Sequence, residues 1–299
     1  MRRKAGSFLP VLLIFCLIGC LVHGSKSFAQ EGKSFLWRVR SSTSTLYLLG
    51  SVHFLKQENY PLNPGIEMAF AQSNVLVVEA NIADPTNLNS DTLVRKALYP
   101  ENDSLEKHLS PETYEYVKKE TEKLGLPLEL IARQKPWVLA LTLEALQLMK
   151  LGFDPGQGID AYFLSKAQGS KKILELEGVD EQFNLLSRFS DKEQELFLLY
   201  TLKDLNLLSD ETNRLVKAWS TGNVSGIESI ITKTIREDRR LEPIFKRLLD
   251  DRNKGMASKI EGYLKTKETY FVVVGAGHLV GDKGIVKMLK ERGYSVEQL

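Results

Sequence analysis

Two apolar runs near opposite ends of the chain finish in the same way: "LYLLGSVH" stops at His53 and "FVVVGAGH" stops at His278. Each is short, aliphatic or aromatic, and unbroken, which is the pattern of a strand buried on both faces of a helix-covered sheet. In each a glycine, Gly50 or Gly275, stands three places before the histidine. Glycine lets a chain turn sharply or bring its backbone close to a ligand. The chain has four histidines, and spending two on one local pattern implies that two strands deliver both imidazoles to one site.

The rest of the chain supports a sheet assembled from both ends. "FLWRVRS" and "STLYLLGSV", joined through "SSTS", read as an antiparallel hairpin. "NPGIEMAFAQS" has helical spacing and "NVLVVEANI" is a further buried strand, which makes a strand–helix–strand unit with parallel strands. The middle is helical. "SPETYEYVKKETEKLG" has Ser110 as N-cap, Pro111 in the first turn and Gly125 to close it. "PWVLALTLEALQLMKLG" is apolar on nearly every side and reads as a core helix. "KKILELEG" is a short strand, and Ser190 with Glu193 forms a capping box for the next helix. "TYFVVVGAGH", "GIVKMLKERG" and "YSVEQL" add strand, helix and strand. The expected fold class is α/β: a mixed central sheet built from N- and C-terminal strands, with a large helical insertion over roughly 90–265, interrupted by a short strand near 172–177.

The first 29 residues read as a leader, with Arg2, Arg3 and Lys4 before an apolar run from Phe8 to Val22 and small residues at Ser27-Phe28-Ala29. The expectation is an exported protein, periplasmic or secreted, with residues 30–299 as one domain. Lipidation at Cys20 in "LIGC" is the alternative, and a membrane would be reached only through the leader or through that lipidation. Both cysteines, Cys16 and Cys20, lie in this leader, so a mature chain has neither a disulfide nor a cysteine–zinc site. Losing the four basic leader residues takes the net charge from +2 to −2, which gives no reason to expect a nucleic-acid partner.

Ligand sites in open α/β sheets lie beyond the carboxyl ends of the strands, where His53 and His278 both fall. Imidazole is a common metal ligand and a natural base near neutral pH. Glu79 ends "VLVVEA", and a carboxylate there binds a metal, accepts a proton or reaches solvent. Glu177 ends "ILELE" in the same way, two places after Glu175 on the expected strand face. Asp160 stands near a helix start, where capping is its ordinary use. Arg252 and Asn253 lie in a helical segment, where an arginine is usually solvated or paired, though it can also steady an oxyanion. His108 reads as a surface residue, and "GSVHF" lacks the elbow of a serine hydrolase.

Taken in order, "LYLLGSVH", "VLVVEAN", "GQGIDAYFLSKA", "LELEGVDEQ", "DDRN" and "YFVVVGAGHLVGDKGIVKMLKERGY" resemble the TraB/GumN family and the related Tiki proteins, from about Ser34 to Leu299. The resemblance implies a mixed sheet with a helical insert, shared with the erythromycin-esterase and ChaN-like superfamily. It also implies a metal-dependent hydrolase of peptidase type, supported by manganese or cobalt. His53, His278 and Glu79 would be the metal ligands, with Glu79 or Glu177 as base. Arg252 would steady developing charge, and Gly50, Gly275, Asp160 and Asn253 would support them. The substrate would be a peptide or a small molecule. A metal-free esterase-like hydrolase, a haem- or peptide-binding protein without turnover, and an assembly factor for surface polysaccharide are the alternatives.

Overall fold

The computed structural model describes residues 32–84 and 90–299; the leader with Cys16, Cys20 and His23 lies outside the described residues. Six strands form one mixed sheet: β1 (Leu36–Arg40), β2 (Thr45–Ser51), β3 (Val75–Val78), β4 (Lys172–Glu175), β5 (Tyr270–Gly275) and β6 (Ser295–Gln298). Their order is β4-β3-β5-β2-β1-β6. The expected hairpin is present, with β1 antiparallel to β2 in the register Leu36↔Leu49 to Arg40↔Thr45. β2 and β3 are parallel, as the strand–helix–strand pattern predicts, but they are not neighbours. Strand β5, the last but one in the chain, runs between them, parallel to both.

This wedging follows from the composition of β5. Tyr270 to Val274 are all buried, and a strand with that much apolar surface is most stable with a partner on each edge and helices above and below. Phe271 receives Phe70 of helix Pro64–Ala71 at 5.4 Å and Phe163 of helix Ile159–Ala167 at 4.8 Å. Each ring pair adds about 0.5–1.5 kcal/mol beyond its burial. Helices Arg252–Tyr263 and Ile285–Glu291 contribute Ala257, Ile260, Ile285 and Leu289 to the same core.

Helices fill the chain between β3 and β5 apart from β4, and they build cores of their own. Helix Pro136–Lys150 packs Leu139, Ala140 and Leu143 against Val117, Leu198 and Leu202. It is less enclosed than its composition predicts, because Leu141 and Met149 are 41% and 42% exposed. The caps are where the sequence places them: Ser110 accepts from the Thr113 N–H, Gly125 closes its helix at φ 68°, and Ser190 forms a capping box with Glu193. Among the described residues no helix is long and apolar enough to cross a membrane.

His108 departs from expectation. It is not a free surface residue: its ring stacks on Tyr99 at 4.0 Å, and its two nitrogens meet Asp103 at 2.9 Å and Asp191 at 3.0 Å. Burial alone would lower its pKa, but the two carboxylates outweigh that and the net direction is up from 6.5. A raised folded-state pKa gives stability that is complete below 6.5 and fades as pH rises through the folded value. Chemical denaturation at about pH 6 and about pH 9 should therefore show a loss that His108→Gln reduces. An identical pH dependence in the variant would show that the clamp contributes nothing.

Candidate functional site

The parallel pairing of β2 and β5 places Ser51 opposite Gly275, so both histidine segments leave the sheet from the same end. The two segments are then held differently. His53 stands at the opening, with 58% of its side chain exposed and its Nδ1 2.7 Å from Asp160 Oδ2. Asp160 lies in the first turn of helix Ile159–Ala167 but does not cap it; Gly158 is the N-cap, and no side chain makes the cap bond. The reason is competition: the carboxylate is taken by His53 Nδ1 and by a short hydrogen bond from Ser51 Oγ. Helix and loop are locked together by Ile159 N–H donating to Val52 O at 3.1 Å. Gly158 makes that approach feasible, since a Cβ there would lie 2.2 Å from the His53 carbonyl oxygen.

His278 is the deep member, with 5% of its side chain exposed. Its Nδ1 meets Asn253 Oδ1 at 2.6 Å, and Asn253 Nδ2 donates to Lys283 O at 2.8 Å. That second bond orients the amide, so Oδ1 accepts from Nδ1–H and Nε2 keeps its lone pair. Burial pushes the pKa of His278 down. Asp160 acts in the opposite sense on His53, raising it to about 9 against the cost of burial. Solvent at the exposed ring screens that attraction, but the direction stands on the 2.7 Å contact.

Glu79 follows directly on β3 and is 8% exposed. Its Oε1 accepts from the Gly275 N–H at 2.6 Å and lies 3.7 Å from His278 Nε2. Its Oε2 accepts from Arg252 Nη2 at 2.6 Å and from Gln182 Nε2 at 3.1 Å. Burial alone would raise this carboxyl; attraction to His278, Arg252 and His53 and the Gly275 N–H hold it at about 2. Of these, Arg252 keeps its charge whatever the imidazoles do. Glu177, beyond the end of β4, takes a forked contact from Arg252 Nε and Nη2 at 2.9 and 2.7 Å. Arg252 Nη1 donates to Leu248 O at 3.0 Å. The guanidinium thus spends its three nitrogens on protein, as the bond between two strand ends and helix Arg252–Tyr263.

The two glycines differ in use. A Cβ on Gly275 would lie 3.3 Å from Glu79 Oε1, 3.4 Å from His278 Cδ2 and 3.8 Å from His53 Nε2. Both imidazoles and the carboxylate therefore face one point, and Gly275 leaves it empty. Its φ of −49° and ψ of 136° suit any residue, so space rather than backbone freedom explains it. Gly50 does not turn the chain towards a ligand, as its position before His53 suggests. It lies within β2, where a Cβ would strike the Phe35 ring at 2.3 Å, and its carbonyl accepts from Trp219 Nε1 at 2.7 Å. Sequence reasoning missed Gln182, whose only signal is its place five residues after Glu177. It weighed Ser51 only as a nucleophile lacking its elbow, whereas the hydroxyl holds Asp160.

The donor chemistry suits a divalent ion at two points, His53 Nε2 and His278 Nε2, because each ring has its other nitrogen pinned by an oxygen. A third protein donor is not in place. Among the described residues no three His, Cys, Asp or Glu side chains are grouped to hold a metal ion, and Glu79 is engaged by Arg252 and Gly275.

Removing the guanidinium would leave two buried carboxylates uncompensated. Arg252→Met should cost about 3–5 kcal/mol in urea or guanidinium unfolding, and adding Glu177→Gln should recover part of it. A cost under about 1 kcal/mol would show that the bond is not structural.

The chain is 26% identical to the uncharacterized protein YbaP of Escherichia coli over 267 residues, 88% of this chain and 96% of that one. It is 24% identical to an uncharacterized protein of Treponema pallidum, over 97% of this chain and 91% of that one. It is 25% identical to Metalloprotease TIKI1 of Danio rerio over 332 residues, 93% of this chain but 65% of that protein. No solved structure matches. The profile of the TraB/PrgY/gumN family matches residues 35–298, the span that carries the sheet, both histidines and the glutamates, and the chain belongs to that family.

Proposed function

We propose that this protein is a hydrolase of peptide or related acyl bonds, with His53 and His278 as its working pair. The observation that carries the reading is the convergence of the two rings on the space above Gly275, each with Nδ1 pinned and Nε2 free of protein partners at hydrogen-bonding distance. His278, buried and neutral, would take a proton from an attacking water. His53, kept protonated by Asp160 at the solvent opening, would donate one to the leaving group. Two titratable groups pushed apart by their surroundings are the usual means of having an acid and a base at one pH. Arg252 would act by holding Glu79 in place, and the Gly275 N–H by fixing the carboxylate beside His278. Each proton-transfer partner contributes about 10²–10⁴-fold.

A metal-dependent version of the same reading is supported by the similarity to a protein named as a metalloprotease. His53 and His278 would hold a divalent ion such as manganese or cobalt, with Glu79 as third ligand once released from Arg252. The ion would lower the pKa of bound water and polarise the scissile carbonyl. The leader supports action outside the cytoplasm.

Residues 30–299 incubated with a peptide library should give cleavage products, and His278→Ala or His53→Ala should reduce the rate at least ~100-fold. Activity that survives a chelator selects the acid–base version; activity that Mn²⁺ or Co²⁺ must restore selects the metal version. Gly275→Ala should abolish turnover at a cost to stability of about 1 kcal/mol, because the new methyl occupies the point that both rings face. Intact product-free peptides under all conditions would refute the hydrolase reading.

A further inference from the structure

The last strand of the sheet has an open side. β6 ends the strand order, and among the described residues it pairs with β1 alone. Leu299 N–H donates to Leu36 O at 2.9 Å, and Leu299 O accepts from Ser34 N–H at 2.5 Å. In an antiparallel ladder the backbone groups of alternate residues turn to the same side. Leu299, Glu297 and Ser295 therefore face β1, and the N–H and C=O groups of Val296 and Gln298 face outward. Such an edge is a template for another extended chain, and proteins blunt it with shortness, lysine, proline or a covering segment. β6 is short, but it contains neither lysine nor proline.

Val296, Glu297 and Gln298 line a groove of about 720 Å³, within the size range of ligand sites. The buried part of its lining is apolar: Trp37, Leu279, Val280 and Val286 are each no more than 9% exposed. The exposed part is basic, with Lys287 and Lys290 from helix Ile285–Glu291 and Lys33 from the segment before β1. Lys33 is held in place there. A Cβ on Gly222 would lie 2.4 Å from its carbonyl oxygen, and Gln298 Nε2 donates to Ser34 O at 3.0 Å and to Gly222 O at 2.7 Å. Glu297 is the one acid of the lining, and Arg38 pairs with it. Lys287 meets Asp282, whose side chain is 91% exposed, so solvent screens that pair. Lys33 and Lys290 have no ion-pair partner among the described residues. The groove thus joins unpaired backbone, apolar surface and surplus positive charge.

We propose that this groove is a docking site for an acidic peptide segment that adds to β6 as a further strand. Val296 and Gln298 supply the backbone hydrogen bonds, which hold an extended chain whatever its sequence. Alternate side chains of the incoming strand enter the apolar lining, so aliphatic residues at every second place fit it. The lysines take carboxylates on flanking residues and turn basic segments away. This docking does not rest on the hydrolase reading, because none of the lining residues is one of the reactive groups.

Fluorescence anisotropy of a labelled, end-blocked peptide Glu-Glu-Val-Thr-Val-Glu-Glu with residues 30–299 tests this. Two control probes share its length: one has lysine in place of every glutamate, and the other is N-methylated at its three central residues, so that neither of its edges can donate to a strand. At low salt the acidic peptide should bind at least ~10-fold tighter than either control. Lys33→Glu together with Lys290→Glu should weaken it by ~10-fold or more without lowering the melting temperature. Absence of saturable binding, equal affinity for the basic or the N-methylated peptide, or binding that the double variant leaves unchanged would overturn the proposal.

Discussion

The structure depends on a strand that cannot stand at an edge. β5 is buried from Tyr270 to Val274, and its backbone groups find partners only if strands lie on both sides. It takes β2 on one side and β3 on the other, and this one insertion brings the last strand-to-helix turn against the first. His278, His53 and Glu79 are neighbours because β5, β2 and β3 are. Every later feature of the site elaborates that contact.

Charge sets the second layer. Two carboxylates stand just beyond adjacent parallel strands, and such a pair is stable only with a counterion that is itself well held. Arg252 meets that need with a forked contact to Glu177 and a single one to Glu79, and its third nitrogen is tied to Leu248 O. The arginine is thus a positioning group for the carboxylates. The imidazoles are set by neutral and anionic partners instead, Asn253 and Asp160; burial pushes the proton affinity of His278 down, while Asp160 pulls that of His53 up.

The site is also shaped by what is small. Gly275 leaves the space both rings face, and Gly158 lets the His53 loop lie against a helix start. Membership of the TraB/PrgY/gumN family and the 25% identity to a protein named as a metalloprotease support the proposed hydrolase reading.

Much of this was readable from residues alone. Unbroken apolar runs determined which segments become buried strands, and the Ser110 and Ser190 caps marked helix starts, because these are local matters of burial and backbone hydrogen bonds. The repeated glycine–histidine spacing determined that His53 and His278 belong together. Only the tertiary structure decided that Asp160 serves His53 and not its own helix, that Arg252 is a bond between strand ends, and that Gly50 packs against Phe35. It also decided that His108 is clamped. These outcomes turn on distances between residues far apart in sequence, and local spacing carries no information about which of several polar partners a buried group will meet.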